Sequence, residues 1–339
     1  MTQPVRTPAR ARRVVRAALI AASVATIGFG AMELPGAAAS PNPADTQLDR
    51  ARTAIRNYEF RGTVSLWWRG QHRGQAETIA VVAVDGALRV DDGRFLAEQG
   101  RTWMRTGKGW TTLWSDTRDV GAPSAARKYT VARHSGPPIV DRPTRLIVIR
   151  RHGRTVERIA FDRATGLVLG RDRFDSSGAP TMRLRFLTLT DLHPRRGAIN
   201  APDVGVNAPG TREPVPEDAP KSLTGGFVLV DARRGDDHVT QLRYNDGVFE
   251  ASVFTETRPL DWDSLPAGGQ EIHYGDVRAR RYRTAAGTVI VWEAGNRTFT
   301  CVTGATSTDQ VGIVKALSRS HDSSWDKVIR FVTSPFSWS

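Results

Sequence analysis

The chain has one cysteine among its 339 residues, so it can form neither an internal disulfide nor a C-x-x-C redox or metal motif. Cys301 lies in the strand-like run Thr298-Phe299-Thr300-Cys301-Val302, which predicts a buried structural thiol rather than a nucleophile. No G-x-S-x-G elbow and no H-E-x-x-H pair is present. The histidines (His72, His134, His152, His193, His238, His273 and His321) are scattered, and no two stand at ligand spacing. Asp236-Asp237-His238 is the one dense titratable cluster, and it falls in an expected surface loop rather than a metal site. The 31 glycines punctuate turns and form no phosphate-binding loop ahead of a helix. Together these absences predict a protein that is not an enzyme, with no catalytic residue, no metal and no cofactor. Catalysis would need a site assembled from distant residues without a motif.

Long apolar runs are also scarce. The one that stands out, Ala17 to Met32, follows Arg6, Arg10, Arg12, Arg13 and Arg16 and precedes Ala37-Ala38-Ala39. A basic start, an apolar run and small residues at −3 and −1 describe a secretory signal over 1–39, cut before Ser40. An uncleaved anchor is the alternative, but the run is short for a span, which needs about 20 apolar residues. Arg12-Arg13 leaves a twin-arginine route open beside the general one. No cysteine lies near the cut, so no lipoprotein anchor of that kind is expected. The five arginines and one acid of this segment account for +4 of the formal +13, leaving +9 for the rest. Outside the membrane, anionic headgroups, wall polymers or acidic protein segments would answer that charge. Nucleic acid is excluded as a partner by the export signal and the lack of a recognition motif.

What is present is mostly strand pattern, over two stretches. Residues 40–194 open with a helix capped at Asp45, with Leu48, Ala51, Ala54 and Ile55 at helical spacing. Short strands follow. In Phe60–Arg69, Phe60, Val64, Leu66 and Trp68 share one face and Arg61, Thr63, Ser65 and Arg69 the other. Ser115 to Pro143 carries four prolines and reads as irregular. Arg145–Arg151, Thr155–Phe161, Leu167–Phe174 and Met182–Thr190, joined by short polar turns, predict an antiparallel meander, since parallel pairing needs long crossovers. Residues 195–222, with five prolines, read as an interdomain linker. Residues 223–320 form a second domain. Phe227–Val230, Val239–Tyr244 and Val248–Glu256 are three strands, with a tight hairpin at Asn245-Asp246-Gly247 and a charged loop at Arg233–Asp237. Later strands lead to a helix with a capping box at Ser307 and Gln310 and an apolar stripe of Val311, Val314 and Leu317. In the tail, 321–339, Trp325, Val328, Ile329 and Val332 repeat at helical spacing, which suits docking on the second domain or a membrane or partner contact.

The fold class is therefore α+β: a large antiparallel open barrel or half-barrel with a covering helix, then a smaller sheet-and-helix domain. Trp68, Trp103, Trp110 and Trp114 lie on strands of the first domain, Trp110 and Trp114 on one strand face. They are either core or the lining of a concave face that takes an apolar ligand.

Three segments carry a family resemblance. Asn57-Tyr58-Glu59-Phe60-Arg61-Gly62-Thr63-Val64 resembles an N-Y-x-G-T-F opening strand. Arg154 to Leu189 resembles a strand followed by D-x-x-T-G-L, D-x-x-G and an aromatic strand. Gly225-Gly226-Phe227-Val228-Leu229 and Tyr244-Asn245-Asp246-Gly247-Val248 through Ser252-Val253-Phe254 resemble P-x-G-F-x-L and Y-S-D-G-x-x-x-x-S-V-F. These are similar to the MucB/RseB family, periplasmic regulators of extracytoplasmic-function sigma factors.

The resemblance implies a non-enzymatic protein with a large domain like the LolA and LolB lipoprotein carriers. It implies a small domain that binds the extracytoplasmic part of a membrane anti-sigma factor and shields it from proteolysis, with a lipid or amphiphile as the release signal. The motif residues themselves read as scaffold, with Gly226 and Gly247 in turns and Phe227 and Phe254 in the core. The expectation is an exported regulator of envelope-stress sigma-factor signalling, with a lipid or lipoprotein carrier as the alternative. The expected partner contacts are Arg233 and Arg234 in the charged loop.

Overall fold

The computed structural model describes residues 53–71, 73–84, 86–90, 95–98, 101–106, 109–115, 128–196, 219–234, 239–284 and 287–319. For 95–98, 101–106, 109–115 and residue 234 it describes the backbone alone. The signal segment, most of the proline-rich linker, the Asp236-Asp237-His238 cluster and the aromatic tail lie outside the described residues. The chain divides into two compact units.

Among the described residues the first unit opens with a helical segment, α1 (53–57), followed by eleven strands. These are β1 (Tyr58–Arg69), β2 (Gly74–Val84), β3 (Ala87–Val90), β4 (Phe95–Glu98), β5 (Arg101–Thr106), β6 (Gly109–Ser115), β7 (Thr130–Ile139), β8 (Arg142–Arg151), β9 (Arg154–Asp162), β10 (Val168–Phe174) and β11 (Pro180–Pro194). They form one sheet in the order β6-β5-β4-β3-β2-β1-β11-β10-β9-β8-β7. Two meanders thus meet where β1 pairs with β11, Trp68 opposite Met182 and Leu66 opposite Leu184. Among the described strands, β6 and β7 stand at the two ends of this order.

Alternation along β1 separates a core face from a solvent face, as its sequence pattern predicts. Phe60, Val64, Leu66 and Trp68 are buried, and they join Ile79, Val81, Leu88, Leu184, Phe186 and, from α1, Ala54 in one apolar cluster. At about 25 cal/mol per Å² of apolar area, each large side chain in such a cluster contributes about 1.5–3 kcal/mol.

Strand β7 occupies part of the stretch that the prolines mark as irregular. An edge strand tolerates proline because its outward N–H groups are unpaired in any case. Pro137 and Pro138 sit where the register of β7 against β8 shifts, between Gly136 and Ile139. Beyond them Val140 and Asp141 both take positive φ, 46° and 60°, and turn the chain in two residues. Ile139 is buried, and Val140 packs against the apolar cluster.

The second unit contains β12 (Ser222–Leu223), β13 (Phe227–Arg234), β14 (Thr240–Asn245), β15 (Glu250–Glu256), β16 (Gln270–Tyr274), β17 (Val277–Thr284), β18 (Gly287–Ala294), β19 (Arg297–Thr303) and the helix α2 (307–319). The sheet order is β12-β13-β14-β15-β19-β18-β17-β16. Trp292 and Phe299 stack in its interior with ring centroids 5.1 Å apart, and Tyr244, Val253, Ile290 and Cys301 are fully buried.

Three local expectations change here. The loop between β14 and β15 has four residues, because Asn245 pairs with Glu250. Asp246 Oδ1 accepts the N–H groups of Val248 at 3.0 Å and Phe249 at 2.7 Å, so both residues belong to the turn rather than to the strand. Only Gly247 takes the positive φ, 92°. Phe227 is core as expected, whereas Phe254 is only half-buried.

The cap of α2 lies one residue earlier than the sequence pattern suggests. Asp309 N donates to Thr306 Oγ1 at 3.4 Å, and Thr306 Oγ1 donates to Asp309 Oδ2 at 2.8 Å. Gln310 instead donates to the carbonyl of Ala305 and to Thr288 Oγ1. The buried stripe of α2 is Ile313, Val314 and Leu317, with Val311 only half-buried.

Candidate functional site

A groove of about 750 Å³ opens on the solvent face of the first unit. Its walls come from β1, β2, β3 and β11, and pairing explains why. Directly opposed residues of antiparallel strands share a face. Arg61 opposes Val82 on one side and Thr190 on the other, Val82 opposes Arg89, and Glu59 opposes His193. The lining is therefore Glu59, Arg61, Ala80, Val82, Val84, Arg89, Asp191 and His193, with Phe60 and Ala83 beneath.

The charges are arranged in pairs. The register of β1 against β11 shifts between Glu59 and Arg61, and Asp191 in that shift takes φ 54°. The bulge places Asp191 Oδ2 3.8 Å from Arg61 Nε, and both side chains are largely exposed. His193 Nε2 lies 3.9 Å from Glu59 Oε2. An exposed pair such as Arg61–Asp191 is worth about 0–1 kcal/mol, so a ligand displaces it at little cost. Between them runs an apolar floor of Ala80, Val82 and Val84. Chemically the groove offers aliphatic contact along β2 and guanidinium groups from Arg61 and Arg89. It can hold an extended polypeptide with apolar and acidic side chains.

The residues singled out from the sequence lie elsewhere. Trp68 is 5% exposed inside the apolar cluster of the first unit. Trp103 lies on β5 and Trp110 and Trp114 on β6, where the side chains are outside the described residues. Arg233 and Arg234 belong to β13 and not to a loop. Arg233 Nε donates to Asp231 Oδ2 at 2.7 Å and keeps 19% of its side-chain surface. It borders an ionic array on the sheet: Arg243 grips Glu250 through two 3.2 Å bonds, and Ser252 Oγ donates to the same carboxylate at 3.1 Å. The side chain of Arg234 and residues 235–238 are outside the described residues.

A second ionic array lies inside the first unit. Glu157 is fully buried and its Oε1 accepts from Arg171 Nε and, at 3.2 Å, from Arg173 Nε. Burial, reinforced by the neighbouring Arg171, pulls the Arg173 guanidinium down to about 10, and Glu157 opposes that shift. The group remains cationic at neutral pH. Among the described residues no three potential metal ligands stand together, and no helix is long and apolar enough to cross a membrane.

No protein-family profile and no curated protein matches the chain. Solved structures do. A crystal structure of MucB in complex with MucA(peri) is 22% identical, covers 79% of this chain and 96% of its own, and has a TM-score of 0.44. The complex structure of Pseudomonas aeruginosa MucA/MucB is 21% identical, covers 80% and 97%, and has a TM-score of 0.45. A LolA superfamily protein from Nitrosomonas europaea is 8% identical, covers 77% and 91%, and has a TM-score of 0.20. The first two of these are structures of MucB.

Proposed function

We propose that this protein is an exported, non-enzymatic regulator that binds the extracytoplasmic segment of a membrane anti-sigma factor in the groove of its first unit. The observation that carries the reading is the groove itself: about 750 Å³, open, with an aliphatic floor on β2 and guanidinium groups on its walls. Arg61 and Asp191 on its wall form a weak exposed pair that a polypeptide can replace. The type of partner, though not the unit that binds it, comes from the sequence resemblance to MucB/RseB, which implies binding by the small domain, and a MucB structure in complex with MucA(peri) supports that type of partner. Lipid carriage, the other reading, was drawn from four tryptophans. Of these, Trp68 is packed in the core, and the side chains of Trp103, Trp110 and Trp114 lie outside the described residues.

The test is a calorimetric titration of the protein with the extracytoplasmic segment of a membrane anti-sigma factor from the same organism. Saturable binding is expected, weakened at least tenfold in a variant carrying both R61E and R89E that keeps the wild-type circular dichroism. Absence of binding by the wild-type protein at low and high salt overturns the proposal. Unchanged affinity in the double variant removes the groove as the site.

A further inference from the structure

A separate stretch of the same solvent face carries a cationic row. Arg158 on β9 opposes Asp172 on β10, Asp172 opposes Arg183 on β11, and Arg183 opposes Trp67 on β1. Arg185 stands two residues along β11 on the same face. Arg158, Arg183 and Arg185 are all exposed. Asp172 is the one acid among them. Burial pushes its carboxyl above the usual range, although Arg185, Arg183 and Arg158 each pull it down. The Arg183 guanidinium lies 5.8 Å from the centre of the Trp67 ring, which holds it against the sheet surface.

The same strand projects an apolar residue. Leu187 is the extra residue where the pairing of β11 with β1 shifts between Thr63 and Val64. The neighbouring Phe186 and Val64 fill the core, so Leu187 stands on the solvent side, 51% exposed. A bulge commonly re-aims a side chain in this way.

From this arrangement we infer that the β9–β10–β11 face docks on a bilayer rich in anionic phospholipids, with the arginines on phosphates and Leu187 entering the headgroup layer. Charge complementarity selects the anion, and the surface selects a planar one. Where it carries Arg183 and Arg185, β11 is bonded to β1 on one side and to β10 on the other, so the arginine row offers no strand edge to an added peptide strand. The arginines extend along and across strands, about 7 Å apart along β11 and about 10 Å from β9 to β11. That spacing suits a layer of separate monovalent phosphodiesters, each taken by one guanidinium. The inference does not rest on the groove or on its partner.

The experiment is co-sedimentation of the protein with vesicles of phosphatidylcholine alone and of phosphatidylcholine mixed with phosphatidylglycerol, at low and high salt. Binding to the anionic vesicles alone is expected, with loss at high salt. Roughly fivefold weakening is expected for each arginine replaced by glutamine in R183Q and R185Q, and weaker retention in L187D. The charge-reversed double variant R183E/R185E should lose vesicle binding while keeping its circular dichroism and its affinity for the anti-sigma segment. Equal binding to neutral vesicles, no binding to either, or unchanged binding by the double variant overturns the inference. Binding to soluble poly-glutamate but not to vesicles overturns it in favour of an acidic polypeptide.

Discussion

Arg142 Nη2 donates to Asp162 Oδ2 across 2.9 Å, fastening the start of β8 to the end of β9. The carboxylate is 1% exposed and also accepts the backbone N–H of Thr165 at 3.0 Å and its hydroxyl at 2.5 Å. One side chain therefore joins the turn after β7 to the turn before β10. Asp162→Asn is expected to lower stability by about 1.5–3 kcal/mol, the usual worth of a bond to a charged group. Urea unfolding measures it.

The same carboxylate gives a pH signature. Burial raises its pKa, but the bonds from Arg142 and Thr165 outweigh burial, and the net shift is below 3.8. A folded-state pKa below the unfolded one means the stabilisation is present above about pH 4 and fades as pH falls through the folded value. Acid titration of the wild type and of D162N should differ in that window, with the variant showing the shallower loss. Parallel curves would remove Asp162 from the acid transition.

Glu157→Ala should cost about 3–5 kcal/mol, because it leaves Arg171 and Arg173 without their shared carboxylate. Replacing Glu157 and Arg171 together with Gln and Met is expected to recover part of that loss. Additive losses in the double variant would show that the array is not a unit.

Burial alone pushes the Cys301 thiol up to about 12, and the residue is completely enclosed. A thiol-specific disulfide reagent should therefore leave the folded protein unmodified and react at once in guanidinium. Fast reaction under native conditions would mean that β19 opens.

Gly225 takes φ 90°, and a Cβ there would meet Asp309 Oδ1 at 2.6 Å, whereas a Cβ on Gly153 at φ 75° would meet nothing within 4 Å. Gly225→Ala is expected to exceed the roughly 1–2 kcal/mol backbone cost that Gly153→Ala alone shows, because it also disturbs the cap of α2. Equal melting shifts for the two variants would contradict this.

The local order of the molecule was readable from alternation and turn chemistry. Phe60, Val64, Leu66 and Trp68 declare their face without help, and the short polar turns declare the meander from Arg145 to Thr190. The pairing of β1 with β11 was not readable, since nothing local marks two strands as neighbours across more than a hundred residues. The groove depends on that pairing, because Arg61 and Asp191 meet only across it. For the same reason Arg61 registers in the sequence as an ordinary outward residue. Arg233 was misplaced because its charge resembles a loop, whereas Asp231 two residues earlier neutralises it within the strand. Strand β7 was hidden by Pro137 and Pro138, which an edge accommodates and a central strand would not.

The pairing of β1 with β11 also sets a clock. Thr63 and Thr188 share a 2.9 Å hydroxyl contact although they are 125 residues apart. One edge of β1 therefore stays unpaired until the 125 residues that separate Thr63 from Thr188 have also reached the compartment where the chain folds. Closing so long a loop is slow in its own right. Until then the strand carrying Phe60, Leu66 and Trp68 presents an unpaired edge to any other chain. The first unit should thus fold late and all at once, and a chain cut short before β11 should aggregate rather than fold in part.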